Sequence, residues 1–172
     1  ASGLPMQIAL NQLLSKAKPD RLLIEPTGLG HPKEVLQVLS AEYYKKVLSV
    51  QKTLTLVDAR KLTDQRYTSH DTFNQQIAIA DTIIGNKLDL YRESDRARLV
   101  DYVKHQGQKH ANVIFAEFGE VDLATLQGPI ASLPSQSNHH DHQVTTSITD
   151  DIIPECGYIK AVNEGEGFFS VG

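Results

Sequence analysis

Four short apolar segments alternate with stretches of helical periodicity, and this alternation constrains the possible fold more than any other feature of the chain. The segments cover residues 21–25, 53–58, 82–85 and 112–116. Between them, apolar residues recur three or four positions apart, which is the spacing of an amphipathic helix. Strands that alternate with helices form βαβ units, in which right-handed crossovers keep the strands parallel. We therefore predict an α/β fold built on a mostly parallel sheet.

Several helix ends are also predictable. Residues 1–18 carry one apolar stripe at helical spacing, and Pro19 follows directly after them. Ser94 is predicted to cap a later helix that ends just before Gly107. Asp122 is placed to cap a short helix in the same way.

The apolar run that begins at Thr82 leads directly into the sequence Asn86-Lys87-Leu88-Asp89. Ligands of doubly wound α/β folds bind in such loops, at the carboxyl ends of the parallel strands. Guanine presents an N1–H and an N2–H side by side, and the Asp89 carboxylate can accept both, whereas adenine lacks this pair. Charge-assisted hydrogen bonds of this kind contribute roughly 1.5–3 kcal/mol each. Asn86 is expected to tie the loop to its neighbours and the Lys87 stem to lie along the base or ribose. The alternative is a solvated turn.

A carboxylate ends the first predicted strand, and a glycine follows it three residues later. Glu25 can hold a Mg²⁺ ion, through water, because Mg²⁺ keeps several of its waters. Gly28 allows a backbone N–H to approach a terminal phosphate, which a Cβ would obstruct. The alternative is a plain strand-to-helix loop, in which Gly and Pro are common.

The composition changes after residue 133. Residues 134–143 hold no apolar side chain and are predicted to form a linker. The linker contains His139, His140 and His142, whose neutral imidazoles suit Zn²⁺, Ni²⁺ and Co²⁺, although a merely solvated linker is the alternative. Residues 144–172 carry strand-like segments but are too few to bury a core of their own. We expect them to be the first strands of a second domain.

Charge and cysteine content narrow the class of protein further. A net charge of −4 over 172 residues argues against a general binder of nucleic acid or of membrane surfaces. No apolar run approaches the roughly 18 residues that span a bilayer. The single cysteine excludes an internal disulfide and suits a reducing compartment, so we expect a cytoplasmic protein.

Taken in order, these motifs resemble those of the CobW-type P-loop GTPases, relatives of the GTPases that insert nickel into hydrogenase and urease. Residues 25–32 resemble the family's Glu-x-Thr-Gly-x-x-x-Pro, its Walker B and switch II stretch. Residues 76–81 followed by 86–89 resemble its approach to the base, and residues 119–122 resemble the segment after its last GTPase strand. A histidine-rich linker before a small β-rich domain is also typical of the family. The resemblance runs from about residue 3 to residue 172.

The resemblance implies that the intact protein binds GTP with Mg²⁺ and hydrolyses it to gate delivery of a metal ion to a client metalloprotein. Zinc is the first candidate for this cargo and cobalt the second. The implied organisation is an incomplete P-loop NTPase-type domain over residues 1–133, the linker, and the start of a smaller α+β C-terminal domain over residues 144–172. The candidate residues are Glu25 and Gly28 for catalysis, Asn86, Lys87 and Asp89 for nucleotide binding, and Glu25, His139, His140 and His142 for metal.

Two motifs of that family do not occur in these 172 residues: the phosphate loop Gly-x-x-x-x-Gly-Lys-Ser/Thr and the metal motif Cys-x-Cys-Cys. We therefore expect an internal fragment that holds the base-reading half of the site, lacks the phosphate half and shows no useful turnover alone. Two alternatives stay open. One is a non-catalytic metal-binding or protein-interaction module with a relic GTPase fold. The other is an ATP-using relative, against which Asp89 argues.

Overall fold

The computed structural model describes residues 3–26 and 32–131, together with the backbone of two strands at 159–163 and 166–171. The chain divides into two compact units, one of Ala1–Gly30 with Ser135–Gly172 and one of His31–Pro134. The helices and strands are, in chain order, α1 (Gly3–Ala17), β1 (Arg21–Ile24), α2 (Pro32–Leu39), α3 (Glu42–Lys45), β2 (Leu54–Val57), α4 (Gln65–Thr68), α5 (Asp71–Ile79), β3 (Thr82–Gly85), α6 (Glu93–Gln106), β4 (Asn112–Phe115), β5 (Ile159–Asn163) and β6 (Glu166–Val171). Short 3₁₀ turns lie at Ala59–Thr63, Leu88–Leu90 and Leu123–Leu126.

The unit His31–Pro134 is built on a parallel sheet in the order β2-β3-β4. All four residues of the central strand β3 are buried, as expected of a strand covered on both faces. In the register of this sheet, Ile83 lies between Thr55 of β2 and Val113 of β4. The chain passes through α5 between β2 and β3, and through α6 between β3 and β4. The predicted α/β fold with a parallel sheet is confirmed.

The hydrophobic core of this unit joins the sheet to α5 and α6. Phe73 and Ile77 lie four residues apart on α5, as do Leu99 and Val103 on α6, so each pair occupies one helix face. Leu99 is completely buried, and full burial of such a side chain stabilises a fold by roughly 1.5–3 kcal/mol. These two helix faces pack against the sheet below the loops that follow its strands.

Asp81 organises the amino ends of the three parallel strands. Its backbone N–H donates to the carbonyl of Thr53 at 2.8 Å, and its own carbonyl accepts the N–H of Asn112 at 2.9 Å. The buried carboxylate accepts two further backbone N–H groups, those of Thr53 and Ala131, each at 2.8 Å. Buried polar groups are stable only when they are hydrogen-bonded. Asp81 therefore provides hydrogen-bond partners for the backbone groups around it, and these groups provide partners for Asp81.

The helix α6 begins earlier than predicted, and the expected cap at Ser94 is wrong. The N-cap residue is Arg92, whose backbone N–H donates to Oδ2 of Asp95 at 2.8 Å. A carboxylate at the third helical position reaches back to the cap, so no hydroxyl cap is needed. The predicted helix end at Gly107 and the predicted capping role of Asp122 are confirmed.

The other unit contains an antiparallel sheet in the order β1-β5-β6. Leu13 of α1 packs against Ala17, Leu22 and Ile24, so the predicted first helix covers this strand. Residues 21–25 were expected in the parallel sheet, and in the structure Arg21–Ile24 pair antiparallel with β5 instead. An apolar segment of this length indicates a strand, but its partner comes from a distant part of the chain that periodicity cannot identify.

The predicted linker at residues 134–143 lies outside the described residues, and the division of the chain into domains at residues 133 and 144 stays a prediction. Within the part of the chain that the structure describes, no helix combines the length and the apolar character needed to cross a membrane.

Candidate functional site

The carboxyl ends of β2, β3 and β4 are tied together by backbone hydrogen bonds. The N–H of Asn86 donates to the carbonyl of Val57 at 3.0 Å. The N–H of Ala116 donates to the carbonyl of Gly85 at 3.1 Å, and its carbonyl accepts the N–H of Leu88 at 3.1 Å. The loops after β3 and β4 therefore start from one fixed frame, at the sheet edge where α/β folds bind ligands.

Asn86 makes the contact expected of it from the sequence. Its side-chain Oδ1 accepts the backbone N–H of Gly119, in the loop after β4, at 3.2 Å. Gly119 has a φ of 76°, and a Cβ at this position would meet nothing within 4 Å, so the backbone conformation and not the space favours glycine. Asn86 thus joins the two loops directly.

Lys87 occupies the left-handed region, with φ 65° and ψ 40°. Such a conformation costs an L-residue roughly 1–2 kcal/mol. Its Nζ lies 3.6 Å from Oδ2 of Asp58, at the end of β2, while more than half of its side chain stays exposed. The lysine stem therefore crosses from the β3 loop toward β2 and remains available to a ligand.

Asp58 is a mostly buried carboxylate that contacts two cations. The guanidinium of Arg60 donates to it twice, from Nε to Oδ1 at 2.9 Å and from Nη2 to Oδ2 at 2.7 Å. These hydrogen bonds, with the charges of Arg60 and Lys87, hold the pKa of Asp58 below its ordinary value of 3.8, although partial burial opposes the shift. Asp58 is consequently ionised at neutral pH and fixes Arg60 beside the site.

Tyr91 joins the loop after β3 to the chain after β2. Its hydroxyl donates to the carbonyl of Val57 at 3.0 Å and accepts the backbone N–H of Ala59 at 2.7 Å. Burial raises the pKa of this phenol. The hydroxyl therefore stays protonated and keeps its donor role near neutral pH.

Asp89 lies in the 3₁₀ turn Leu88–Leu90 and is exposed. The pKa of Arg60 is raised chiefly by its hydrogen bonds to Asp58 and, in smaller part, by the charge of Asp89. An exposed carboxylate at this edge of the sheet can accept a pair of adjacent donors from a ligand. The structure thus brings Asn86, Lys87 and Asp89 together in one loop, and their role toward a nucleotide stays a prediction.

The remaining predicted site residues lie either in the other unit or outside the described residues. Glu25 follows β1 as an exposed residue of the other unit. Gly28 and the histidines at 139, 140 and 142 lie outside the described residues. Among the residues that are described, no three His, Cys, Asp or Glu side chains cluster in a way that could hold a metal ion.

Three residues of the site were not identified from the sequence. Asp58 ends a predicted strand and Asn86 follows another, so the position of Asp58 could have pointed to the shared sheet edge. Tyr91 and Phe118 gave no such signal. Phe118 has a φ of 50° and is 83% exposed beside Gly119, which only the tertiary structure reveals.

A family model described as "CobW/HypB/UreG, nucleotide-binding domain" matches residues 3–115. This range includes the loop from Asn86 to Asp89 and the sheet beneath it. No solved structure gives a significant match to the chain.

Two curated relatives carry related names. The chain is 39% identical over 177 residues to the zinc chaperone YeiR of Escherichia coli, a match covering 99% of this chain and 53% of the relative. It is 25% identical over 149 residues to the zinc chaperone CobW of Pseudomonas aeruginosa, covering 72% of this chain and 40% of the relative. The chain thus spans about half or less of the length of these relatives. The family match over residues 3–115, with the 39% identity over nearly all of the chain, shows that it belongs to the CobW/HypB/UreG family of nucleotide-binding domains.

Proposed function

We propose that these residues form the base-recognition part of a cytoplasmic, GTP-dependent zinc chaperone of the CobW type. The observation that carries the proposal is the joined pair of loops at the carboxyl edge of the parallel sheet. There Asn86 holds the loop after β4, and the Asp89 carboxylate is exposed. The match to a nucleotide-binding family model supports the same assignment.

In the proposed complex, Asp89 accepts the N1–H and N2–H of guanine. Lys87, whose stem is already directed across the sheet edge by Asp58, lies along the base or ribose. The residues fit this ligand because the only group required at the base edge is an ionised acceptor for two adjacent donors. Adenine presents no such pair, so the site would select GTP over ATP.

Glu25 and Gly28 keep the roles that the sequence predicts for them. Glu25 is an exposed carboxylate directly after β1, an oxygen ligand of the kind that Mg²⁺ binds. When bound, Mg²⁺ would neutralise phosphate charge during hydrolysis of the terminal phosphate. These 172 residues contain no Gly-x-x-x-x-Gly-Lys-Ser/Thr loop, so GTP hydrolysis is proposed for the whole protein and not for this chain alone.

Zinc is the proposed cargo, with cobalt as the second candidate. Both relatives described above carry the name zinc chaperone. His139, His140 and His142 are proposed to hold the ion during delivery to a client metalloprotein, since neutral imidazole suits both metals. An isothermal titration with Zn²⁺ tests this, comparing the protein with a variant in which all three are alanine. Equal affinities would remove the histidines from the proposal.

The nucleotide proposal is tested by Asp89→Asn in the full-length protein, with Mg²⁺ and a fluorescent GTP analogue competed by GTP, ATP and XTP. Asparagine offers an acceptor for N1–H but a donor where guanine also has a donor. The asparagine side chain therefore matches the base of XTP, which carries an oxygen where guanine carries its N2 amino group. We expect the unaltered protein to prefer GTP, and Asp89→Asn to lose GTP affinity and gain XTP affinity.

Two results would contradict this proposal. If GTP and ATP compete equally with the unaltered protein, Asp89 does not read the base, and an ATP-using relative is the better interpretation. If no nucleotide binds to the full-length protein, the sheet is a relic that serves as a scaffold for a partner or a metal.

A further inference from the structure

Phe118 combines two unfavourable features that the fold itself does not explain. Its side chain is 83% exposed, the highest value among the large apolar side chains of the described residues. Its φ of 50° is uncommon for a bulky residue and costs of the order of 1–2 kcal/mol. Residues held in this way often belong to ligand sites.

The other two phenylalanines of this unit, Phe73 and Phe115, pack against neighbouring aromatic rings. Phe73 lies between the tilted rings of Tyr67 and Tyr102, with centroid distances of 4.3 and 5.8 Å. Phe115 meets the ring of Tyr91 edge to face at 6.3 Å. Within the described residues, none of the ring contacts involves Phe118. Ring contacts with the described residues therefore do not account for its position.

The location of Phe118 points to the candidate site. Phe118 directly precedes Gly119, and Lys87 directly follows Asn86, so both lie one residue from the 3.2 Å hydrogen bond that joins the two loops. Both also have left-handed backbone conformations. An exposed aromatic ring is thus held beside the loop that carries Asp89.

We propose that Phe118 is a ligand-contacting residue of this site, and that its ring stacks on the face of the purine base whose edge Asp89 reads. The inference rests on the proposed function, since it requires a nucleotide in this site. Stacking uses the π-face that every base has, whereas hydrogen bonding at the edge distinguishes one base from another. Phe118 therefore supplies affinity that is independent of the base, and Asp89 supplies the selection.

The test measures GTP and ITP binding to the full-length protein carrying Phe118→Tyr, Phe118→Leu or Phe118→Ala. Base–aromatic stacking lost on substitution by alanine corresponds to a weakening of roughly 5- to 150-fold. We expect Phe118→Ala to fall in this range, Phe118→Leu to be weakened by at least about fivefold, and Phe118→Tyr to bind within about twofold of the unaltered protein. Tyr43→Leu is the matched control, because Tyr43 is a 65% exposed aromatic residue on α3, outside the site.

Two further measurements distinguish stacking on the base from a structural role of Phe118. Inosine lacks the N2 amino group, so Phe118→Leu should weaken GTP and ITP by the same factor, whereas Asp89→Ala should reduce the preference for GTP over ITP. The ring of Phe118 is exposed, so Phe118→Leu should leave the thermal midpoint of the nucleotide-free protein unchanged.

The outcomes distinguish this inference from the function on which it rests. If the unaltered protein binds GTP in an Asp89-dependent manner but Phe118→Leu binds as tightly, the inference alone is overturned. A loss of affinity accompanied by a lower thermal midpoint would also overturn it, in favour of a structural role. If the unaltered protein binds no guanine nucleotide, the proposed function fails, and the inference fails with it.

Discussion

Gly85 is a position at which a single added methyl group should be felt strongly. A Cβ at this site would lie 2.7 Å from Cδ1 of Phe115 and 2.8 Å from Cδ2 of Leu99. Neither neighbour moves freely, because Leu99 is completely buried and Phe115 contacts the ring of Tyr91 and the guanidinium of Arg96. Gly85→Ala would therefore overpack the core directly beneath the candidate site.

Two opposing contributions set the size of the effect. Inserting a methyl group into a well-packed core costs about 1–3 kcal/mol. Alanine in a strand recovers roughly 0.5–1 kcal/mol relative to glycine, because it restricts the unfolded chain. The difference is roughly 0–2.5 kcal/mol, and because the added Cβ would clash with two confined side chains, we expect Gly85→Ala to lower the free energy of unfolding by about 1–2 kcal/mol.

Equilibrium unfolding in urea measures this effect, and a double-mutant cycle with Phe115→Ala identifies its cause. Truncating Phe115 removes the clash with that ring and leaves the clash with Leu99, so the two substitutions should be coupled by at least about 0.5 kcal/mol. Gly119→Ala is the control, since its cost arises from a φ of 76° with nothing within 4 Å of the added Cβ. An unchanged urea midpoint for Gly85→Ala, or equal coupling of Phe115→Ala to both glycine substitutions, would show that the added Cβ does not clash with Phe115.

Two other substitutions test the contacts around the site. Tyr91→Phe leaves the N–H of the buried Ala59 without its 2.7 Å partner and should lower the free energy of unfolding by about 1–3 kcal/mol, measured in urea; an unchanged midpoint would contradict this. Asp58→Asn tests the pH dependence. The pKa of Asp58 is below 3.8 in the folded protein because Arg60 donates to it, so its ionised form stabilises the fold above this pH, and that stabilisation is lost as the pH falls through the folded-state pKa. The variant should be less stable at pH 7, and the difference should shrink progressively below about pH 4. A stability difference that stays constant down to pH 2 would contradict the role assigned to Asp58. Both proteins should still lose some stability in acid, because hydrogen bonds also lower the pKa values of Asp64 and Asp95.

Local sequence was sufficient where the determining interactions are themselves local. The central strand and the helices around it follow from apolar periodicity, and the helix end at Gly107 and the cap at Asp122 follow from residues in direct contact with the helix ends. The predicted cap at Ser94 failed because two capping arrangements compete within three residues, and Asp95 accepts the N–H of Arg92 with the stronger, charged acceptor.

The candidate site also has one part that local sequence identified and another that it did not. The pattern Asn-Lys-x-Asp after a buried strand located the loop, because the ends of parallel strands are where such folds bind ligands. Its partners could not be read from the sequence. Asp58 and Phe118 come beside the loop only through the packing of β2 and β4 on either side of β3. Tyr91 follows the loop directly, but its contacts with the chain after β2 depend on the same packing.

The sequence by itself therefore determined the α/β class, the parallel order of strands and helices in the unit His31–Pro134, and the family to which the chain belongs. Only the tertiary structure decided that β1 pairs antiparallel with β5, that Asp58 holds Lys87 and Arg60, and that Phe118 is exposed in a left-handed conformation beside Asn86. The physical reason is separation along the chain. Periodicity and capping record interactions between residues a few positions apart, whereas strand pairing and loop contacts depend on segments that meet only after the chain has folded.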